Sequence, residues 1–144
     1  MLDIQRLSYE EARILLEGCA KQSRSMGIPM CSAVTDESGH LIAFDRLDGG
    51  KVSSISIAID KAFTSAVARK GTHIYNGLCQ PGQPTFGIHV TNGGHFCIIG
   101  GGLPVTVNGV IVGGVGVSSG TAGEDQVVAE AALAHFYEQT GFKS

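Results

Sequence analysis

The chain has no run of basic residues and little charge of either sign. Acidic and basic residues make up 16% of its 144 residues, and the formal net charge is −3. Proteins that bind nucleic acid or anionic membranes through charge carry a basic patch. The chain also has no apolar stretch of membrane-spanning length without glycine breaks. We therefore expect neither nucleic acid nor a membrane among its partners.

The sequence also lacks the signals of secretion and of disulfide bonding. Residues 1–6 have neither the basic start nor the apolar core of a signal peptide, which favours a cytoplasmic protein. Cys19, Cys31, Cys79 and Cys97 are widely separated and form no C-x-x-C pair. In a cytosolic chain this spacing indicates buried thiols, with one reactive thiol as an alternative, and not a disulfide framework.

Several motifs that carry chemistry are missing. There is no Walker A loop, no G-x-S-x-G elbow, no H-E-x-x-H pair and no zinc-type Cys/His spacing. The dinucleotide fingerprint G-x-G-x-x-G is not met either. Gly114 and Gly116 match its first two glycines, but the next glycine, Gly120, is not at the required spacing. The residues alone support a ligand-binding domain and name no reaction.

Glycine, by contrast, is abundant, with 21 residues. Together with the low charge, this indicates many tight turns and a large buried or subunit-contacting surface. The densest stretch, residues 100–120, predicts a β-hairpin. Asn108-Gly109 is typical of a type I′ turn, since both central residues need positive φ. This turn pairs Val107 with Val110 and would set Val105 opposite Val112.

The return strand of this hairpin has one bulky and one nearly bare face. By alternation, Val115 and Val117 point to one side, and Val112, Gly114 and Gly116 point to the other. Bare backbone lets another group come close. The pattern leaves two occupants open, a helix packed on the sheet or a flat ligand.

The remaining signals place elements along the chain. They predict a helix from the capping box of Ser8 and Glu11 to Gly27, followed by strands over 30–35 and 40–46. A second helix runs from Ser53 or Ser54 to about Lys70, and an irregular segment follows over 71–94. A strand over 96–99 precedes the hairpin, and the last helix begins at Glu124 and Asp125 and ends at Gly141. With the hairpin, this order predicts one α+β domain over residues 1–144, with helices covering an antiparallel five-stranded sheet.

Candidate functional residues are few. Lys61 interrupts an otherwise apolar helical segment, so it either points outward or is held at a site. Arg46 and Asp48 form either a surface ion pair or a charged rim for a ligand. His89 and His95 lack metal-site spacing. Each is a structural residue or a candidate ligand to haem iron or another metal.

Three blocks of sequence carry a family resemblance. Residues 36–49 read DESGHLIAFDRLDG, residues 60–66 read DKAFTSA, and residues 101–120 hold the hairpin, followed by Glu124-Asp125. Their order and spacing resemble the GlcG/HbpS family, which includes the C-terminal domain of PduO-type proteins. The resemblance extends over residues 3–140 and includes small OrfY-type members found beside glycerol or diol utilisation genes.

The resemblance implies a profilin-like, three-layer α/β/α fold with a five-stranded antiparallel sheet. It also implies a homo-oligomer built from dimers, up to an octamer. Some members bind haem, so haem is a candidate cofactor. The positions that match the family pattern, which we expect around one cleft, are Arg46, Asp48, Lys61, Thr64, Pro104, Ser118, Gly120 and Glu124.

These features favour a small-molecule-binding accessory protein of glycerol, diol or similar carbon metabolism. The candidate ligand is haem or a related tetrapyrrole such as a corrinoid, with Arg46 or Lys61 for the propionates and an imidazole for the iron. One alternative is an enzyme acting on haem or on a small oxygenated metabolite, with Lys61 as the catalytic proton carrier. Another is a non-catalytic oligomeric assembly protein, so enzymatic activity is left open.

Overall fold

The computed structural model describes all residues, 1–144, as four helices and four strands. In chain order these are α1 (Tyr9–Met26), β1 (Cys31–Asp36), β2 (Leu41–Arg46), α2 (Ser54–Ala68), α3 (Thr72–Leu78), β3 (Gly102–Val107), β4 (Val110–Ser118) and α4 (Ala122–Thr140). Two short 3-10 turns, Ile88–Val90 and Asn92–Gly94, lie between α3 and β3. No helix is both long enough and apolar enough to span a bilayer.

The strands form one antiparallel sheet in the order β2-β1-β4-β3. Helices α1 and α4 pack on one face of this sheet and on each other, and α2 packs on the opposite face. The α+β class agrees with the prediction, but the five-stranded sheet is wrong, because the sheet has four strands.

The segment predicted as the additional strand, residues 96–99, bonds to helices instead of to a strand. The Cys97 N–H donates to Thr64 Oγ1 on α2 at 2.8 Å. The Thr72 hydroxyl on α3 donates to the Ile99 carbonyl. Side chains thus satisfy two of the backbone groups that a neighbouring strand would otherwise pair, and β3 remains the edge strand.

The β3–β4 turn has the predicted form. Asn108 and Gly109 have φ of 51° and 78°, and Val107 pairs with Val110. A bulge then shifts the register between Val105 and Thr106, so the predicted pairing of Val105 with Val112 is wrong. Strict alternation does not reveal a bulge, which sets two residues of one strand opposite one of the other.

The bulge also changes the side of β4 to which Val112 points. Val112 joins Val115 and Val117 in the core cluster beneath α1 and α4, so its predicted place on the glycine face is wrong. Gly114 and Gly116 do form a bare face, and α2 lies directly on it. A Cβ at either glycine would overlap backbone atoms of Ala58 or Ala62. A helix, not a flat ligand, therefore occupies this face.

Helix α1 begins and ends as its sequence predicts. The Glu11 N–H donates to Ser8 Oγ at 3.2 Å, and the Ser8 N–H donates to the Glu11 carboxylate at 2.7 Å. Gly27, with φ of 69°, ends the helix in the left-handed conformation that glycine accepts readily.

We expect Ser8→Ala to lower the free energy of unfolding by about 1 kcal/mol, because the Glu11 N–H loses its side-chain acceptor. Urea denaturation measures the change. The control is Ser25→Ala, an exposed serine in the last turn of the same helix, which should stay within about 0.5 kcal/mol of the parent. Equal losses in the two variants would contradict a capping role for Ser8.

Candidate functional site

A buried ion pair lies where β4 ends and α4 begins. The Lys61 side chain on α2 is 1% exposed, and its Nζ donates to Asp125 Oδ2 and to the Val117 carbonyl, both at 2.8 Å. The other Asp125 oxygen accepts the Gly120 N–H at 2.9 Å. This arrangement, the Lys61–Asp125 clamp, joins α2, the end of β4 and the first turn of α4.

Small residues bring Lys61 to this position. Ala58 and Ala62, on the same face of α2, let the helix approach the glycine face of β4 closely. Gly101 then passes beside the ammonium, where an added Cβ would lie 3.0 Å from Nζ. Its φ of 118° is a further reason for glycine at this point.

Thr64 lies one turn further along α2 and is fully buried. Its hydroxyl donates to the Asp60 carbonyl at 2.8 Å and accepts the Cys97 N–H. Burial raises the pKa of the Cys97 thiol, and the ammonium of Lys61 opposes that shift. Thr64 therefore anchors the irregular segment to α2.

Three more of the predicted residues lie beside the clamp. Gly120 contacts Asp125 directly, and the buried Ser118 donates from Oγ to Ser54 Oγ at 3.2 Å. Glu124 forms a capping box with Thr121 at the start of α4. The structure thus brings Lys61 together with Ser118, Gly120 and Glu124, in roles that hold the ends of elements.

The other predicted residues lie apart from the clamp. Arg46 is exposed at the end of β2, and Cys31 of β1 separates it in the sheet from Ser118. Asp48 is exposed in the following loop, on the rim of a depression of about 360 Å³ that the clamp does not line. Pro104 lies along β3, paired with Gly114. The eight positions do not line one cleft of the single chain.

The two candidate histidines have different surroundings. The His95 side chain is 64% exposed, its Nδ1 lies 2.8 Å from Asp60 Oδ1, and its Nε2 makes no hydrogen bond within the chain. His89 is also exposed, but its Nδ1 lies 3.0 Å from the Cys79 sulfur. A carboxylate on the second ring nitrogen is the usual partner of a metal-ligating histidine, because it orients the ring. His95 therefore has the geometry of a ligand.

The segment that carries these histidines has exposed apolar side chains. Four large apolar side chains in residues 72–99 are 44–69% exposed, namely Ile74, Phe86, Val90 and Ile99. The Phe86 ring lies 6.4 Å from that of His89, so one of these apolar side chains adjoins a candidate histidine. No group of three His, Cys, Asp or Glu residues is placed to hold a metal ion. His95 therefore suits a metal that brings its other ligands with it.

Sequence reasoning named Lys61 but did not find its partner. Asp125 is 64 residues away along the chain, so no local spacing connects the two. Asp60, which orients His95 from 35 residues away, was missed for the same reason.

The chain is thus a three-layer α/β/α domain with a four-stranded antiparallel sheet. Its buried lysine–aspartate pair lies where β4 ends. The model of the family described as haem-degrading protein HbpS-like matches residues 7–134. The chain therefore belongs to the HbpS-like family.

Relatives and solved structures agree with this assignment. The chain is 35% identical to a 15.0 kDa protein of the dhaT-dhaS intergenic region of Citrobacter freundii, over 94% of this chain and 95% of that protein. The crystal structure of Klebsiella pneumoniae protein ORFY superposes with a TM-score of 0.92 at 33% identity, covering 94% of both chains. A PduOC:heme complex superposes with a TM-score of 0.87 at 25% identity, covering 90% of this chain and 94% of that one.

Proposed function

We propose that this protein binds haem and that His95 is the ligand to the iron. The observation that carries the proposal is the exposed imidazole of His95, which the Asp60 carboxylate orients through Nδ1 while Nε2 stays free. The similarity to the PduOC:heme complex supports the class of ligand.

The residues present fit this group better than they fit a bare metal ion. A haem iron is already held by the porphyrin and needs only an axial side chain. Exposed apolar groups of the same segment, such as Phe86 and Val90 on either side of His89 in sequence, can cover a flat apolar ring. Haem when bound would supply a redox-active iron, and the Asp60 carboxylate would raise the basicity of the His95 ligand.

The propionates need exposed cations. Lys61 is buried and paired with Asp125, so of the two cations predicted for this role only Arg46 is exposed. Lys70 is a second exposed cation, with Nζ 5.9 Å from the centre of the Tyr75 ring on α3. Comparing Arg46→Ala with Lys70→Ala in haem titrations would separate the two cations.

We expect haemin titration to give a saturating change in the visible spectrum at one haem per chain. The His95→Ala variant should bind at least about tenfold more weakly, and Asp60→Asn should lose about 10- to 100-fold, the usual effect of removing such a carboxylate. His89→Ala is the matched control, since it removes an exposed imidazole from the same segment, and should bind as the parent does.

Two results would contradict the proposal. One is His95→Ala binding haemin as tightly as the parent. The other is uptake without saturation, which indicates nonspecific apolar adsorption. Titration with a corrinoid in the same format tests the related tetrapyrrole, and the size-exclusion mass tests the predicted oligomer. A role in glycerol or diol metabolism stays a prediction of the family resemblance.

A further inference from the structure

A thiol and an imidazole meet in the segment that follows α3. The Cys79 sulfur lies 3.0 Å from Nδ1 of His89. Cys79 follows the last residue of α3, and its N–H donates to the Tyr75 carbonyl at 2.9 Å. Both the N–H and the hydroxyl of Thr85 donate to the Leu78 carbonyl, at 3.1 and 2.9 Å. These bonds fold the chain back and bring His89 onto Cys79.

The two groups differ in exposure. Cys79 is 5% exposed, whereas His89 is exposed. The ring of Phe86 lies beside that of His89, with 6.4 Å between their centres. Access to the sulfur is therefore limited, which favours small reactants over large ones.

The other three thiols have surroundings that suppress reaction. Burial raises the pKa of Cys19 to about 12, and it also raises the pKa values of Cys31 and Cys97. None of these three has an imidazole within hydrogen-bond distance. A thiol must lose its proton to act as a nucleophile. Of the four thiols, only Cys79 has an imidazole beside it that can accept this proton.

We propose that Cys79 and His89 form a nucleophilic dyad that reacts with small hydroperoxides and soft electrophiles. A nucleophile within hydrogen-bond distance of a base is the recurring arrangement of an activated thiol. The Cys79 proton moves to His89 Nδ1. The thiolate then attacks one peroxide oxygen, and an S–O bond forms as the O–O bond breaks.

In this step the sulfur is oxidised by two electrons to a sulfenic acid, and the peroxide is reduced. The thiolate takes the terminal OH of the peroxide, and the proton held by His89 goes to the leaving alkoxide, giving an alcohol, or to hydroxide, giving water, when the reactant is hydrogen peroxide. The neutral imidazole is thereby restored. Two equivalents of an external thiol return the sulfenic acid to the thiol: the first forms a mixed disulfide with loss of water, and the second releases Cys79 as the external thiol leaves as its disulfide. The dyad does not depend on the haem proposal, which rests on His95.

The test is alkylation of the folded, haem-free protein by iodoacetamide near neutral pH, with each cysteine followed by mass spectrometry. We expect Cys79 to react at least about tenfold faster than Cys97. His89→Gln, which keeps a hydrogen-bonding side chain without a titratable ring, should slow Cys79 by about 100-fold, the lower range for a positioned base. Cys97→Ser is the control and should leave the Cys79 rate unchanged.

Hydrogen peroxide followed by a dimedone trap gives the second readout. The sulfenic acid should appear on Cys79 in the parent and in Cys97→Ser, and be lost in His89→Gln. Should His89→Gln fail to fold, the parent and Cys97→Ser decide, because Cys79 should react faster than Cys97 in the parent with both reagents and at an unchanged rate in Cys97→Ser. Equal rates for Cys79 and Cys97, or a Cys79 rate that does not depend on His89, would overturn the dyad.

Discussion

Replacing Lys61 by methionine is expected to lower the free energy of unfolding by about 3–5 kcal/mol, the usual loss when one partner of a buried ion pair is removed. Methionine matches the length of the lysine stem but leaves Asp125, 3% exposed, without its cation. The Val117 carbonyl loses its donor as well. The unpaired carboxylate, more than any lost packing, accounts for the size of the effect.

Urea denaturation of three variants checks this result. The double variant Lys61→Met/Asp125→Asn should recover at least about 1 kcal/mol, because no charge remains buried and the oxygen of the new side-chain amide can still accept the Gly120 N–H. Arg13→Met is the control, since Arg13 and Asp45 form a half-exposed pair worth less than about 1 kcal/mol. If Lys61→Met lost no more than Arg13→Met, the clamp would not hold α4 to the sheet.

The second large effect is expected for Gly116→Ala, which should lower the free energy of unfolding by about 3 kcal/mol. The new methyl group would overlap the Ala58 carbonyl and the Ala62 nitrogen, both of them backbone atoms of α2. A flexible side chain could turn away, but a helix backbone has to shift as a unit. That shift would also disturb Lys61, which lies between these two alanines.

Gly77→Ala is the matched control. Gly77 lies within α3, and a Cβ there meets nothing within 4 Å. Alanine restricts the unfolded chain, so this change should be neutral or stabilise the protein by up to about 1 kcal/mol. Denaturation curves measured side by side decide the matter. Equal losses at the two positions would mean that α2 tolerates a side chain on the glycine face.

Local signals predicted much of the fold correctly. The capping box of Ser8, the ending of α1 at Gly27 and the type I′ turn at Asn108-Gly109 each depend on a few neighbouring residues. Such features are determined by backbone conformation and by bonds within one turn of chain, so they can be recognised from sequence without knowledge of the fold.

The wrong predictions concern what a segment pairs with. Residues 96–99 have the composition of a strand. Their backbone, however, forms hydrogen bonds with the side chains of Thr64 and Thr72, which are distant in sequence. The bulge likewise concerns how β3 and β4 pair: it leaves Val112 without a partner on β3, and Val112 lies in the core instead of on the glycine face. Neither effect can be recognised from the local sequence pattern.

The same division applies to the candidate site. The sequence by itself determined that Lys61 is an unusual charge in an apolar helix, and that β4 has a bare face that another group can approach closely. Only the tertiary structure decided that Asp125 neutralises Lys61, that Asp60 orients His95, and that His89 lies on Cys79. The physical reason is that burial and hydrogen bonding depend on the distance between groups in space and not on their separation along the chain. Packing brings together side chains that are 10 to 64 residues apart, and no local spacing records which of them will meet.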